Sequence, residues 1–330
     1  MKALRLITLM TLGCGLLPVS AVPKFQPVAD WLHLPAGLDK MGNSHGDVAV
    51  SDSGEVYVSI TAGPKAGVQV YSPEGRYLRN LPDAPKDFHG FVIRKTGGRE
   101  YLYGTSLGGQ TIHQLGLDGA EVLKVDATAL VPDELKAKSR NAKTKPRLRL
   151  TAIDVTEDGT MFAVDGYGND YVHQFDSKGG YVKSFGGRAT APYHFKTLHK
   201  IAIDTRFSPP RIIGVDRENM RVVHLSLDGE FLGVVNNEML RPAAVVIHGD
   251  YAVVGEIKGR VAFLDKQGKV VLKLGYNEIP EDAMNNKTPP NRWRLGIFTA
   301  PHGVAFNRQG DLFVTEYSVY GRIHRFNHER

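Results

Sequence analysis

Cysteine is nearly missing from this sequence of 330 residues, and the single one, Cys14, lies in an apolar stretch near the N-terminus. A chain with one thiol forms no internal disulfide, and it holds no metal ion through a cluster of cysteines. The free energy of unfolding must therefore come from side-chain packing and from complete pairing of the backbone hydrogen bonds.

Long hydrophobic runs are equally scarce, and the prominent one spans residues 6–17. It follows a short basic start and precedes the small residues Val19-Ser20-Ala21. This pattern is typical of a secretory signal peptide, and the apolar run is too short to span a bilayer. We therefore predict a signal peptide over 1–21, a secreted or periplasmic protein, and a mature chain, 22–330, without a membrane segment.

The segment Thr11-Leu12-Gly13-Cys14 offers an alternative, because it weakly resembles a lipoprotein processing site. Such sites usually have an aliphatic residue where Thr11 stands, so we prefer simple export over anchoring at Cys14. After the N-terminal run, the sequence has no other stretch that could cross a membrane.

The excess charge of one sign is small: 41 Lys and Arg face 35 Asp and Glu, a formal net charge of +6. The basic residues are not interleaved with aromatic ones, so nucleic acid is not an expected partner. One local run contains no acid. It comprises Lys136, Lys138, Arg140, Lys143, Lys145, Arg147 and Arg149. Such a run is commonly a solvated loop, but it also fits an anionic surface, an anionic substrate or a protein partner.

The sequence does contain a repeat: His or a substitute, an alternating apolar run, a glycine turn and a second apolar run. The six units start at His45, His89, Thr151, His199, Arg241 and His302. Each except the last is followed by a hairpin, as at Asp118-Gly119, where Asp-Gly favours a tight turn. Four short strands in about forty residues are typical of a propeller blade. We predict an all-β, six-bladed β-propeller with four-stranded blades, a single domain over 22–330.

Two intervals between units are long and predict insertions near 124–150 and 277–299. The last unit also lacks its outer strand. An open ring would leave two sheet edges exposed, so we expect residues 24–34 to supply the missing strand and close the propeller.

Four histidines occupy the start of a unit: His45, His89, His199 and His302. The first strand of a blade lines the central tunnel, so these side chains are expected to converge at one mouth of the tunnel. Three imidazoles with a water molecule are a typical ligand set for catalytic zinc. The alternative is that the repeat copies its own consensus, with histidine merely capping each strand.

Two further polar residues follow second strands and should face the same mouth. Tyr167 occurs in Asp165-Gly166-Tyr167-Gly168-Asn169, and Arg217 occurs in Asp216-Arg217-Glu218-Asn219. Tyrosine can act as an acid or a base, and arginine can bind a carboxylate through two parallel hydrogen bonds. The competing interpretation is structural: the aspartates form turns, and Arg217 links one blade to the next.

These two motifs, with His199 and Pro301-His302, resemble the catalytic core of peptidyl-α-hydroxyglycine α-amidating lyase, a six-bladed propeller of the NHL-repeat type. The resemblance implies that His89, His199 and His302 hold zinc. It also implies that Tyr167 acts as the base and that Arg217 binds the substrate carboxylate. That family's reaction releases glyoxylate from a C-terminal α-hydroxyglycine and leaves a peptide amide.

The sequence also departs from that family. A family arginine falls near His45-Gly46, so we expect His45 to take its place in catalysis or to add a fourth imidazole. Gly303 stands where the family has an aspartate that helps to bind a structural calcium ion. The zinc ligands are therefore expected to be kept, whereas the carboxylate-binding site and the calcium site are altered.

Three functions remain open. The first is a secreted zinc-dependent lyase or hydrolase that acts on a small polar, carboxylate-bearing or peptide-like substrate. The second is a non-catalytic NHL propeller that binds a ligand, a glycan or a partner protein, the last through the basic insertion. The third is a calcium-dependent lactonase-type propeller with Glu256 and Glu316 as ligands, but calcium prefers oxygen, and the histidines argue against it.

Overall fold

The structure, a computed structural model, describes residues 22–137, 146–189 and 193–329. The predicted signal peptide, with Cys14, lies outside these residues, and so does the middle of the basic insertion from 138 to 145. Within the described ranges, no helix is long and apolar enough to cross a bilayer.

The chain forms six antiparallel sheets of four strands each, arranged as the blades of a propeller. The N-terminal strand, β1 (Lys24–Pro27), belongs to the last blade. The first three blades consist of β2 (Val48–Val50), β3 (Val56–Ile60), β4 (Gly67–Tyr71) and β5 (Tyr77–Asn80); β6 (Phe88–Thr96), β7 (Arg99–Ser106), β8 (Thr111–Leu115) and β9 (Glu121–Asp126); and β10 (Ala152–Val155), β11 (Met161–Val164), β12 (Tyr171–Phe175) and β13 (Tyr181–Gly186).

The remaining blades follow the same order, from the tunnel outward. They consist of β14 (Leu198–Asp204), β15 (Arg211–Asp216), β16 (Arg221–Ser226) and β17 (Phe231–Asn236); β18 (Pro242–His248), β19 (Tyr251–Glu256), β20 (Arg260–Leu264) and β21 (Val270–Leu274); and β22 (Pro301–Phe306), β23 (Leu312–Glu316) and β24 (Arg322–Glu329), which β1 completes. The predicted six-bladed, four-stranded propeller is confirmed.

Helical structure in the described residues is limited to single turns. These are α1 (Ala127–Leu130) and the 3₁₀ turns Asp133–Leu135, Arg217–Asn219 and Pro290–Arg292. The side chain of Asp126 caps α1 by accepting a hydrogen bond from the N–H of Ala129, and the 3₁₀ turn Asp133–Leu135 follows. The turn at Pro290–Arg292 lies in the second predicted insertion.

The hydrophobic core lies between blades, because each sheet packs its two faces against its neighbours. All residues of β3, β11 and β20 are buried. Between the second and third blades, Ile112 packs in one cluster with Phe175. Burying one large apolar side chain contributes roughly 1.5–3 kcal/mol, and many repeats of such contacts replace the missing disulfides.

The ring is closed as the sequence predicts. Strand β1 pairs antiparallel with β24, with Phe25 opposite His328. The ring of Phe25 lies 5.3 Å from that of Phe263 in the preceding blade. The N-terminal strand therefore covers the edge of the last blade and also contributes to the packing between blades.

Candidate metal and substrate site

Four tunnel-lining strands share one irregularity at their start, and in three of them the irregular residue is a histidine. In β6, β14 and β22, the pairing with the second strand of the blade shifts at His89, His199 and His302. A β-bulge leaves one residue out of the ladder and redirects its side chain. Here the bulges bring the three imidazoles together at one mouth of the tunnel, where each residue is at most 2% exposed.

Each of these imidazoles is held by a backbone carbonyl of the next blade. The three distances from Nδ1 to oxygen are 2.7 Å for His89 and Thr151, 2.6 Å for His199 and Ala243, and 3.2 Å for His302 and Gly46. A carbonyl only accepts, so each Nδ1 donates its hydrogen, and the other ring nitrogen, Nε2, carries a lone pair. The histidine-bearing blades thus alternate with the carbonyl-bearing ones.

The three rings form a nearly equilateral triangle. The ring centres are 5.0 Å apart for His89 and His199, 5.0 Å for His89 and His302, and 4.9 Å for His199 and His302. Burial lowers the pKa of all three imidazoles well below its usual value, and nearby positive charge from Arg217 lowers it further. All three are therefore neutral at pH 7, the state in which imidazole binds a metal ion.

His45 lies beside this triangle but is positioned differently. Its ring centre is 4.9 Å from that of His89 and 5.0 Å from that of His302. Together with these two it places three ligand nitrogens within 4.8 Å of one another. Burial and then the charge of Arg217 lower the pKa of His45 to about 4.

The expectation that His45 shares the repeat position of the other three is wrong by one residue. Val48 pairs with Val58 as Val304 pairs with Val314, so Gly46, not His45, corresponds to His302. Among the described residues, the ring of His45 has no backbone carbonyl as a partner. Gly46 instead uses its own carbonyl to hold His302.

Tyr167 and Arg217 both reach this site, as the sequence predicts. The Tyr167 hydroxyl lies 3.0 Å from Nε2 of His199 and 3.5 Å from Nε2 of His45. Arg217 donates from Nη1 to the Tyr167 hydroxyl at 3.2 Å and from Nε to Glu218 at 3.0 Å. Burial raises the pKa of Tyr167, and Arg217 acts in the opposite direction.

A buried ion pair lies in the tunnel beside the histidines. Nζ of Lys200 lies 2.6 Å from Oδ1 of Asp47, and both side chains are almost fully buried. Lys200 belongs to the fourth blade and Asp47 to the first, so the pair crosses the tunnel. The backbone N–H of Phe91 donates to the other oxygen of Asp47. No sequence motif indicated this pair, because its members are 153 residues apart.

The two carboxylates considered as calcium ligands form hydrogen bonds and ion pairs within their own blades. Glu256 accepts hydrogen bonds from the N–H of Leu240 and from Arg260. Glu316 accepts from the N–H of Thr299 and pairs with Arg322. Each carboxylate therefore accepts a hydrogen bond from the backbone just before the innermost strand of its own blade, and each is paired with an arginine.

Tyr317 is a site neighbour that sequence reasoning missed. Its ring centre lies 4.3 Å from that of His45 and 6.4 Å from that of His302. It follows the second strand of its blade, as Tyr167 and Arg217 follow theirs, so the repeat register could have indicated it.

No family model and no curated protein matches the sequence. Solved structures do match it in fold. A streptogramin B lyase structure aligns with 93% of this chain and 98% of its own, with a TM-score of 0.55 and 11% identity. Virginiamycin B lyase from Staphylococcus aureus aligns with 93% of this chain and 88% of its own, with a TM-score of 0.51 and 13% identity.

A protein of unknown function from Bacteroides thetaiotaomicron aligns over 88% of this chain and 70% of its own, with a TM-score of 0.61 and 14% identity. At such low identities the likeness establishes the fold alone. The chain is a six-bladed β-propeller whose structural neighbours include lyases. The finer resemblance to the NHL-type amidating lyase has no support from a family match.

Proposed function

We propose that the protein is a zinc-dependent propeller enzyme of the lyase type, acting on a small carboxylate-bearing substrate at the tunnel mouth. The observation that carries the proposal is the pair of buried Nε2 atoms of His89 and His302, which lack a hydrogen-bond partner among the described residues. A buried polar atom without a partner costs free energy unless a ligand binds it. Neutral imidazoles that converge in this way suit a divalent metal ion such as zinc.

His199 is the third ligand in this proposal, in preference to His45. Metal-binding histidines almost always donate their other ring nitrogen to a carbonyl or carboxylate, which fixes the ring. His199 has this arrangement with Ala243, as His89 and His302 have it with their own partners. His45 does not, so it serves beside the metal, facing the substrate.

Zinc, when bound, would lower the pKa of a coordinated hydroxyl group. The residues of the chain supply the proton transfer and the orientation. Tyr167 acts as the base, for which it must first lose its own proton, and the guanidinium of Arg217 at 3.2 Å stabilises the resulting phenolate. Arg217 also binds the substrate carboxylate, because Glu218 engages only its Nε atom.

The resemblance to the amidating lyase supports one reaction for this site. The hydroxyl of an N-acyl-α-hydroxyglycine loses its proton, the bond from the α-carbon to nitrogen breaks, and the nitrogen gains a proton. The products are the amide and glyoxylate, and the step needs no oxidant. Lyases among the structural neighbours agree with this reaction type, and one of them, with quinupristin, is a catalytically inactive histidine-to-alanine variant.

The test is elemental analysis of the mature protein, purified without an affinity tag and without added metal. We expect about one zinc ion per chain in the wild type and a loss of zinc in His199→Ala. His33→Ala is the matched control, because His33 is exposed and outside the site. Glyoxylate release from N-benzoyl-α-hydroxyglycine then measures turnover.

An absence of stoichiometric metal, even after zinc is offered, would contradict the proposal. The histidines would then be a repeat consensus, and a non-catalytic propeller that binds a ligand or partner protein would be the better interpretation. Bound zinc without turnover of any α-hydroxyglycine compound would retain the metal site and reject the reaction.

A further inference from the structure

A basic cleft opens beside Tyr167 and has no role in the reaction described above. Its volume is about 1030 Å³, at the upper end of the range for small-molecule sites. Its lining contains four basic residues and one acidic residue: Lys136, Arg147, Arg149, Arg188 and Glu134. This cleft is formed by the described ends of the basic insertion together with the third blade.

Two of these arginines project from a fixed stretch of backbone. Arg147 and Arg149 are exposed and alternate with Leu148 and Leu150, which are fully buried. The N–H of Arg149 donates to the buried carboxylate of Asp165. The backbone of Arg147 forms two hydrogen bonds with that of Ala137, each 3.0 Å long. The guanidinium groups are therefore directed outward by the backbone, which differs from the case of a free solvated loop.

The positive charges of this cleft are only partly balanced by acids, and Nζ of Lys136 lies 2.6 Å from Oδ1 of Asp133. Within the part of the chain that the structure describes, neither Arg147 nor Arg149 forms an ion pair with an acid. Arg188 pairs with Asp170 through Nε at 2.6 Å, and half of its side chain stays exposed. Arginines that converge without acidic partners attract and bind oxyanions, which can accept two parallel hydrogen bonds from each guanidinium.

The cleft and the imidazole site share one wall. The guanidinium of Arg149 lies 5.9 Å from the ring centre of Tyr167, and the guanidinium of Arg217 lies 5.3 Å from the same ring. The hydroxyl of this tyrosine is the group that contacts His199. A ligand that extends from the imidazoles into the cleft must therefore pass Tyr167 and then meet Arg149.

We propose that the cleft binds a second anionic group of the substrate, remote from the reacting end, through Arg147, Arg149 and Arg188. The group is an oxyanion, a carboxylate or a phosphate. The inference rests on the proposed function, because it treats the cleft as part of the same site. It adds a substrate class: small molecules with an acidic substituent in addition to the carboxylate at the reacting end.

Binding of simple oxyanions tests this without turnover. Citrate and inorganic phosphate are titrated into the wild type and into the Arg147→Gln/Arg149→Gln double variant by calorimetry at low ionic strength. We expect the affinity for at least one of these anions to fall about tenfold or more in the double variant. The anion that binds the wild type more tightly, citrate or phosphate, shows whether the cleft prefers a carboxylate or a phosphate. Arg99→Gln, at the exposed first residue of β7, is the matched control and should bind as the wild type does.

Equal affinity in the wild type and the double variant, or an equal loss in Arg99→Gln, would overturn the inference. A second comparison uses N-succinyl-α-hydroxyglycine, whose acyl group carries a second carboxylate, and N-butanoyl-α-hydroxyglycine, whose acyl group is uncharged. We expect kcat/KM to favour the succinyl compound and this preference to shrink about tenfold in the double variant. If neither compound turns over but arginine-dependent citrate binding persists, the proposed reaction fails and the anion site stands.

Discussion

Nδ1 of His199 lies 2.6 Å from the carbonyl oxygen of Ala243, the residue at the corresponding bulge of the next blade. The same relationship recurs twice around the ring, so the orientation of each imidazole depends on the interface between two blades. The site is therefore a product of the closed propeller. It also separates the histidines with a carbonyl partner from His45, which has none in the described structure.

This difference predicts unequal effects on metal binding. His199→Ala should reduce zinc content to near zero, whereas His45→Ala should retain about one zinc ion per chain, because a ring that is not fixed by a second hydrogen bond is the poorer ligand. Elemental analysis of both variants, with melting temperatures as a check on folding, measures this. Zinc lost from His45→Ala but kept by His199→Ala would instead assign the metal to His45, His89 and His302.

The Tyr167 hydroxyl is predicted to be required for turnover but not for metal binding. Tyr167→Phe keeps the ring that lies beside Arg149 and Arg217 and removes only the oxygen that contacts His199. The loss of a positioned acid or base typically lowers kcat by about 10²–10⁴-fold. Glyoxylate release is compared with that of Tyr101→Phe, a substitution in the second blade away from the site. Full activity of Tyr167→Phe with normal zinc content would exclude this residue as the base.

Acid should destabilise the fold through His173, a histidine outside the site. It is fully buried, its Nδ1 lies 2.6 Å from the Ser184 hydroxyl, and burial lowers its pKa to about 3. Between the ordinary value near 6.5 and about 3, the unfolded chain binds a proton that the folded chain does not. The contribution of His173 to the free energy of unfolding is therefore fully present above pH 6.5, and it is lost as the pH falls from 6.5 toward 3.

The slope of the unfolding free energy against pH tests this assignment. One such histidine contributes up to about 1.4 kcal/mol per pH unit. Urea titrations between pH 4 and 7 should give a slope that is smaller by up to this amount in His173→Gln. His33→Gln, at an exposed position, should leave the slope as in the wild type. An unchanged slope in His173→Gln would show that other groups cause the acid sensitivity.

Much of the fold was predictable because the repeat is regular. The alternation of apolar residues defines short strands, the glycines mark turns, and the missing outer strand of the last unit identifies the N-terminal segment as its replacement. In a propeller, equivalent residues of different blades meet at the tunnel. The convergence of His89, His199 and His302 therefore follows from their shared position in the repeat.

Other features of the site depend on details that the repeat does not encode. The one-residue offset of His45 arises because Gly46 takes the bulge position, and composition cannot show where a ladder shifts. The pairing of Asp47 with Lys200 requires knowledge of which blades face each other across the tunnel. The basic partners of Glu256 and Glu316 lie on neighbouring strands. Only the three-dimensional structure therefore distinguishes a carboxylate that is paired within its blade from one that is available to bind calcium.

Closure of the ring by β1 leads to a last prediction, on stability and solubility. Phe25 lies opposite His328 in the β1–β24 pairing, and its ring contacts those of Phe263 and Phe306 at 5.3 and 6.3 Å. Phe25→Ala should lower the unfolding free energy by about 2 kcal/mol, because the side chain is only partly buried. Lys24→Ala, at the exposed neighbouring position, should change it by less than about 0.5 kcal/mol.

Deletion of residues 22–27 is the stronger form of the same experiment. It removes the partner of β24 and exposes a row of unpaired backbone groups, which favours edge-to-edge association. We expect a lower melting temperature and larger species than the wild type on size-exclusion chromatography, whereas Phe25→Ala should elute as the wild type does because its backbone pairing is intact. A deletion variant that elutes and melts like the wild type would mean that β1 is not needed to close the ring, and that contacts between the blades suffice.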